Sequence, residues 1–135
     1  MHMKAVIVLD PDQPLGLLVN TASVLAVTLG DLVESIRGAD TSDADGILHP
    51  GVIRIPLPIL AADSQTLQSI YERARSDEAI TVADFTRTAQ SCKTYEEYES
   101  KCAETPTEAM GLLGLALYGD RKRINKLVGN LKMLR

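Results

Sequence analysis

The sequence predicts an α/β fold, a three-layer α/β/α sandwich around a mixed sheet of about four strands. Strand-like and helix-like patterns alternate along the chain, an order that favours crossover connections between strands. Hydrophobic residues make up 45% of the chain and charged residues 24%, which is the balance of a globular protein. Because 135 residues is the usual length of one compact domain, we assign residues 1–135 to a single domain.

The first elements are a strand and a long helix. Residues 4–9 form an apolar, β-branched run that is closed by an Asp- and Pro-rich turn, which predicts a buried central strand. Leucines then recur at spacings of three and four from Leu15 to Leu29, with valines beside them. This pattern predicts a helix that is covered on most sides and ends at Gly30.

The middle of the chain lacks a clear period. Residues 31–50 are rich in Asp, Ser and Gly, which predicts a long loop. Residues 52–60 are extended by composition, but Pro56 and Pro58 cannot donate ladder hydrogen bonds. We therefore expect an edge strand or an interrupted one.

The remaining elements carry recognisable capping signals. Asp63 or Ser64 can cap a helix, and residues 80–83 follow it as a short strand. Thr94 and Glu97 have capping-box spacing at the head of a small acidic helix that Pro106 interrupts. The last two elements are an apolar strand at residues 112–118 and a helix that Asp120 caps and Gly129-Asn130 ends.

Composition excludes several classes of protein. Aromatic residues are 4% of the chain and Trp is absent, so platforms for stacking single-stranded nucleic acid are scarce. Cys92 and Cys102 are too few for a disulfide framework and lack metal-motif spacing. No uninterrupted apolar stretch reaches the roughly 18 to 20 residues that span a bilayer. We expect a cytoplasmic protein that does not enter a membrane.

Charge is distributed unevenly around a net charge of −4. Residues 120–135 hold six basic residues and one acidic residue, whereas residues 1–65 hold three basic and eight acidic residues. A basic end can dock a phosphate, but a positively charged final helix also suits the helix dipole and ordinary solubility. The second interpretation is the more common meaning of a short basic run.

Three stretches of the chain resemble a known fold family. The opening from Val6 includes Gly16 after the first turn, residues 84–90 read Asp-Phe-Thr-Arg-Thr-Ala-Gln, and residues 126–132 read Lys-Leu-Val-Gly-Asn-Leu-Lys. These motifs resemble the type II peptidyl-tRNA hydrolases and, more closely, the domain of unknown function 2000 family. The resemblance implies a peptidyl-tRNA hydrolase II-like fold.

The same resemblance implies an active site with one altered position. Asp84 and Thr88 match the acidic and hydroxyl residues that such hydrolases hold in their active sites. Leu17 stands where those enzymes have a lysine, and their following glutamine falls near Asn20 or Thr21. A leucine cannot stabilise developing negative charge as a lysine does. The chain also carries an extra segment from Ser91 to about Gly111.

Candidate site residues follow from the fold and the motifs together. The carboxyl ends of strands are where α/β sheets usually bind ligands. We assign catalysis to Asp84, Thr88 and Asn20, with Asp84 activating water and Asn20 donating to an oxyanion. The residues that we assign to ligand binding are Asp10, Asp12, Gly16, His49 and Gln90. The alternative is that these Asp, Asn and Thr residues only cap helices and close turns.

The Asp-rich loop contains two weaker candidates for a metal site. Residues 40–46 place alternate carboxylates before a glycine, but the calcium-loop pattern fails at its first and twelfth positions. His49 could complete an Asp/His metal site there, although a solvated acidic loop is the more common structure. The chain has neither a phosphate loop nor a dinucleotide fingerprint, so we expect no metal and no cofactor.

Two functions from different classes remain. The first is a cofactor-free hydrolase or small-ligand-binding domain whose substrate is a small molecule or acyl ester, with tRNA as a more remote substrate. The second is a non-catalytic homodimeric module that associates through the first helix or the proline-bearing edge. An exposed apolar face would favour the second.

Overall fold

A five-stranded mixed sheet forms the centre of the fold in the computed structural model, which describes residues 2–135. A separate hairpin of two very short strands lies outside this sheet. The strands in chain order are β1 (Met3–Leu9), β2 (Thr41–Ser42), β3 (Leu48–His49), β4 (Ile59–Ala61), β5 (Thr81–Thr86), β6 (Leu112–Asp120) and β7 (Lys132–Met133). The sheet order is β5-β6-β1-β4-β7, so the predicted mixed sheet is confirmed with one strand more than expected.

Within residues 2–135, five α-helices connect the strands. They are α1 (Leu15–Leu32), α2 (Ser64–Arg75), α3 (Arg87–Gln90), α4 (Tyr95–Glu104) and α5 (Arg121–Val128). The predicted caps are confirmed, because the Asp63 carboxylate accepts from Thr66 N at 2.8 Å and Thr94 Oγ1 accepts from Glu97 N at 3.1 Å. Asp120 likewise caps α5 by accepting from Lys122 N.

β1 is the central strand, as its composition predicts. It pairs antiparallel with β6 along its whole length and parallel with β4 over Ile7 to Leu9. Its side chains alternate between two cores. Val6 and Val8 face the core under α2 and α5, whereas Ala5, Ile7 and Leu9 face the core under α1. Helices therefore pack on both faces of the sheet.

α1 differs from its prediction in two ways. The helix continues through Gly30 to Leu32, and within it only Thr21, Leu25 and Leu29 are buried. Its opposite side is exposed rather than covered. By length and composition alone, α1 is also long and apolar enough to cross a membrane, with a mean hydropathy of 1.6 over 18 residues. Polar residues such as Asn20, Ser23 and Asp31 interrupt its apolar run, so the expectation that the protein does not enter a membrane stays a prediction.

The long loop forms as predicted, and the proline-bearing segment at residues 52–60 forms only a short strand. β4 is reduced to three residues that follow Pro58, whose carbonyl accepts from Ile7 N. β4 is not the edge of the sheet, because Leu60 pairs with Met133 of the unpredicted β7. The loop before it contains the β2–β3 hairpin.

β5 is an edge strand that is longer than predicted. Its residues Thr81 to Thr86 pair antiparallel with β6, and β5 has no partner on its other side. The strand therefore includes Asp84, whose neighbours Ala83 and Phe85 belong to the core under α1. Because side chains alternate along a strand, Asp84 faces the opposite side, toward α2.

Candidate functional site

Asp84 and Thr86 open onto a cavity of about 280 Å³ beside the edge strand, which we call the Asp84 cavity. Residues two apart on a strand share a face, which is why these two side chains are neighbours. α2 supplies one wall, α4 a second, and the segment before β6 the rest. The lining residues are Gln68, Tyr71, Asp84, Thr86, Tyr98, Cys102, Thr105, Thr107, Met110 and Leu112.

Asp84 and Tyr98 also line a second cavity, of about 500 Å³, between α1 and α4. They are the two residues common to both cavities. Asp84 is exposed to solvent, so a ligand can reach its carboxylate.

The Asp84 carboxyl group has a raised pKa. Desolvation by the surrounding protein raises it, while the residue's own backbone N–H and the charge of Arg75 lower it only in part. A carboxyl group with a raised pKa gives up and takes up a proton nearer to neutral pH than an ordinary aspartate does. This is the property that a general base or acid needs.

Two phenols face the same space. Desolvation raises the pKa of Tyr71, and Asp84 raises it further. Burial raises the pKa of Tyr98 to about 12, with Cys102 and then Asp84 adding to the effect. Both phenols are therefore protonated at neutral pH, so each hydroxyl group is a hydrogen-bond donor.

Arg75 holds one of these phenols in place. Its guanidinium carbon lies 4.7 Å from the centroid of the Tyr71 ring, which is a cation–π distance. Tyr98 packs edge-on against Tyr95, with 5.7 Å between ring centroids. The aromatic groups of the site are thus anchored by contacts along their own helices.

Thr88 has a different position from the one expected of a catalytic hydroxyl group. Its Oγ1 donates to the Met110 carbonyl at 2.9 Å, and its backbone N–H donates to the same oxygen at 3.1 Å. Thr88 therefore ties α3 to the segment that closes the cavity. Gln90 ends α3, where its Nε2 is buried without a partner among residues 2–135.

Thr86 is the hydroxyl residue that sequence reasoning missed. It is 2% exposed, it lines the cavity with Asp84, and its Oγ1 accepts from Ala89 N as the N-cap of α3. An accepting oxygen leaves its own hydrogen free to donate. Side chains two apart on a strand share a face, so the sequence could have identified Thr86 as a neighbour of Asp84.

The structure does not bring Asn20 to Asp84. Asn20 is exposed on α1 and lines neither of the two cavities that contain Asp84. The buried residue at this point of α1 is Thr21, whose Oγ1 has no partner among residues 2–135. Gly16 is also open, with nothing within 4 Å of an added Cβ, and Leu17 is 36% exposed.

Asp10 and Asp12 form a turn after β1. Asp10 Oδ1 accepts from Asp12 N at 3.0 Å, and the Asp10 carbonyl accepts from Gln13 Nε2 at 2.7 Å. Asp12 is exposed. Their geometry matches the alternative in which they only close a turn. They line neither of the two cavities that contain Asp84.

His49 lies in the exposed β2–β3 hairpin. Its Nε2 is 2.8 Å from Asp43 Oδ2, while Asp43 Oδ1 accepts from Asp45 N and Ile47 N. The His49 contact, followed by the Ile47 amide, lowers the pKa of Asp43. Both oxygens of Asp43 thus close the hairpin. Among residues 2–135, no three side chains of the metal-ligating types lie together.

The basic end of the chain lines other grooves. Arg123 forms an ion pair with Asp77 at 2.9 Å, and Lys126 lines a groove of about 590 Å³ between α2 and α5. This groove shares no lining residue with the Asp84 cavity. α2 contributes Gln68 and Tyr71 to the cavity but Ser69 and Arg73 to the groove.

Comparisons with known proteins agree with this fold. A solved structure of a protein of unknown function, Atu0240 from Agrobacterium tumefaciens str. C58, is similar, with a TM-score of 0.88 and 19% sequence identity. The match covers 98% of each chain. A comparison with curated proteins gave no match. The family model described as protein of unknown function (DUF2000) matches residues 3–135, and the chain therefore belongs to the DUF2000 family.

Proposed function

We propose that the Asp84 cavity binds a small acyl ester and hydrolyses it without a metal or cofactor. The observation that carries the proposal is the position of Asp84, a carboxylate of raised pKa that faces the same cavity as the protonated phenols of Tyr71 and Tyr98. This set of groups is one proton acceptor and several donors, which suits a polar ligand with a carbonyl oxygen.

The proposed reaction uses water as the nucleophile. Asp84 takes a proton from water as the water oxygen attacks the acyl carbon, and the carbonyl oxygen becomes an oxyanion. The hydroxyl groups of Tyr98 and Tyr71 donate to that oxyanion. Asp84 then gives its proton to the departing alkoxide, so that an acid and an alcohol leave and the carboxylate is restored.

The size of the cavity favours a small substrate. A volume of about 280 Å³ is at the lower end of ligand pockets in proteins. The resemblance to the type II peptidyl-tRNA hydrolases supports a hydrolytic reaction at Asp84. The basic cluster belongs to a different groove, and Leu17 replaces the lysine, so we propose a small ester rather than tRNA.

An ester panel tests the reaction. Purified protein is incubated with nitrophenyl esters of short acids and of N-acyl amino acids, and with N-acyl-aminoacyl-tRNA in a separate arm. We expect hydrolysis of a small ester that Asp84→Asn lowers by about 100-fold or more, as is usual for loss of a general base. Asp45→Asn is the matched control, since Asp45 lies on the exposed hairpin. Equal loss in both variants would contradict the proposal.

A labelling experiment separates binding from turnover. Cys102 lines the cavity, so a bound ligand should slow its alkylation by iodoacetamide. Cys92→Ser protein is used, because the second free thiol would otherwise contribute to the signal. Slower alkylation of Cys102 without product would support a binding domain in place of a hydrolase. An unchanged rate with every ester, together with no product, would argue against both.

A further inference from the structure

The solvent side of α1 is uncharged over most of the helix. Between Leu15 and Gly30 there is no Asp, Glu, Lys or Arg. The stripe that lies opposite the buried residues consists of Gly16, Val19, Ser23, Val27 and Gly30, and we call it the α1 stripe. Val19 is 58% exposed and Val27 is 75% exposed. Exposed apolar side chains at helical spacing are typical of a surface that another helix covers.

The two glycines of the α1 stripe have no role within one copy of the chain. A Cβ added at Gly16 or Gly30 would meet nothing within 4 Å. Glycine inside a helix lowers its stability relative to alanine. Small residues on an outer helix face do, however, let a second helix approach closely.

The α1 stripe is symmetric about Ser23. Val19 and Val27 are each four residues from Ser23, and Gly16 and Gly30 are each seven residues from it. If two copies of α1 cross antiparallel at Ser23, Val19 of one copy faces the partner's Val27. Gly16 in turn faces the partner's Gly30. This is the self-complementary pattern that a two-fold interface requires.

Charge complementarity points to the same arrangement. α1 begins after Pro14, which provides no side-chain cap, and the first turn of the helix has no acidic residue. The N-cap and the first turn of α1 thus place no carboxylate at the positive end of the helix dipole. Asp31 and Leu15 are each eight residues from Ser23, so antiparallel pairing brings the partner's Asp31 to this helix start.

We propose that the α1 stripe is a homodimer interface, in which two copies of α1 pack antiparallel across a two-fold axis at Ser23. The occupant of this face is a second copy of the chain. The apolar stripe and the unused glycines pack against the partner in that dimer, and the partner's Asp31 lies level with the start of α1.

Mass in solution tests the dimer. By light scattering at about 100 µM, we expect the wild type to have twice the chain mass of 14.6 kDa. Val27→Glu buries an unpaired charge against the partner's Val19 and should yield monomers. The matched control is Val52→Glu, because Val52 is 78% exposed but lies in the loop before β4. A wild type of 14.6 kDa at this concentration would overturn the proposal.

Cross-linking tests the register. In a Cys92→Ser, Cys102→Ser chain, Ser23→Cys should form a disulfide-linked dimer under mild oxidation, because the two thiols meet at the axis. Thr28→Cys is the control, since two residues five positions from the axis are about 15 Å apart along the helices. A dimer that links through position 28 and not through position 23 would rule out this register. A wild-type monomer that floats with lipid vesicles would replace the dimer with a membrane contact.

Discussion

Asp84 on β5 and Tyr98 on α4 line both cavities that flank α4. Asp84 adds to the rise in the pKa of Tyr98, behind burial and Cys102. The two groups thus combine a carboxylate of raised pKa with a phenol that stays protonated. The edge position of β5 makes this pairing accessible, because no further strand covers Asp84.

Asp84→Asn should raise the stability of the protein slightly at neutral pH. Desolvation by the surrounding protein raises the pKa of Asp84, so ionising this group costs free energy in the folded state. The cost is absent below the pKa of the unfolded chain and grows as the pH rises through the folded pKa. Because Asp84 is exposed to solvent, we expect a gain in Tm of about 1–3 °C. Thermal unfolding at neutral pH measures it, and a large fall in Tm would instead assign Asp84 a structural role.

Acid should destabilise the protein through four other carboxyl groups. The pKa values of Asp43, Asp63, Asp77 and Glu97 are lowered, mainly by hydrogen bonds to each carboxylate. A lowered folded pKa stabilises the protein above about pH 4 and this stability is lost as the pH falls through the folded value. Thermal unfolding should therefore show a Tm that falls as the pH drops through this range.

One substitution isolates the contribution of the helix cap. Asp63→Asn preserves the capping hydrogen bond to Thr66 N but cannot titrate. We expect a shallower fall in Tm below about pH 4 and little change at neutral pH. A Tm profile that matches the wild type throughout would show that Asp63 does not contribute to the acid transition.

Tyr98→Phe should weaken ligand binding in the Asp84 cavity without unfolding the protein. The change removes one hydrogen-bond donor of high pKa and keeps the ring. Loss of such a bond is worth roughly 1–2 kcal/mol, or about 5- to 30-fold in affinity. Tyr95→Phe is the control, because Tyr95 is 70% exposed and does not line the smaller cavity. The ligand concentration that protects Cys102 against alkylation measures the affinity of each variant. Equal affinities for Tyr98→Phe and Tyr95→Phe would contradict a role for the Tyr98 hydroxyl group.

Thr86→Val should lower stability by about 1 kcal/mol through loss of the N-cap of α3. The hydroxyl group accepts from Ala89 N, and valine has the same shape without that acceptor. Thr86→Ser keeps the oxygen and should retain most of the stability. Urea unfolding of the two variants makes the comparison, and similar losses in both would indicate that packing of the methyl group dominates.

Thr21→Val should leave the protein as stable as the wild type or make it more stable, by about 1 kcal/mol. Thr21 is 0% exposed, and its Oγ1 has no partner among residues 2–135. Removing a buried unpaired hydroxyl group relieves its desolvation cost while the shape is kept. Urea unfolding tests this, and a loss of more than about 1 kcal/mol would mean that the hydroxyl group is hydrogen-bonded in solution.

The regular elements were predictable because their local signals agree with their packing. Asp63, Thr94 and Asp120 each accept from the helix that follows, and the apolar run of β1 is buried at the centre of the sheet. β7 was missed because two residues are too few to show a period. Gly30 did not end α1, since one glycine in a helix costs only about 1 kcal/mol.

The covering of α1 and the composition of the cavity depend on contacts that a local pattern does not contain. An apolar helix predicts burial, but it does not tell whether the same chain or another copy covers Val19 and Val27. Asp84 lines the cavity from the edge strand, but Tyr98 joins it only because α4 lies beside β5. Asn20 and Thr21 differ by one position, which on a helix is a rotation of about 100° and separates an exposed side chain from a buried one.

The rate of ester hydrolysis tests most directly whether Asp84 is the catalytic base. It is measured side by side for wild type, Asp84→Asn and Asp45→Asn. We expect Asp84→Asn to lose about 100-fold or more in kcat/KM while it keeps its fold, and we expect Asp45→Asn to equal the wild type. Hydrolysis that persists in Asp84→Asn, or the absence of both hydrolysis and ligand protection of Cys102 in the wild type, would contradict it.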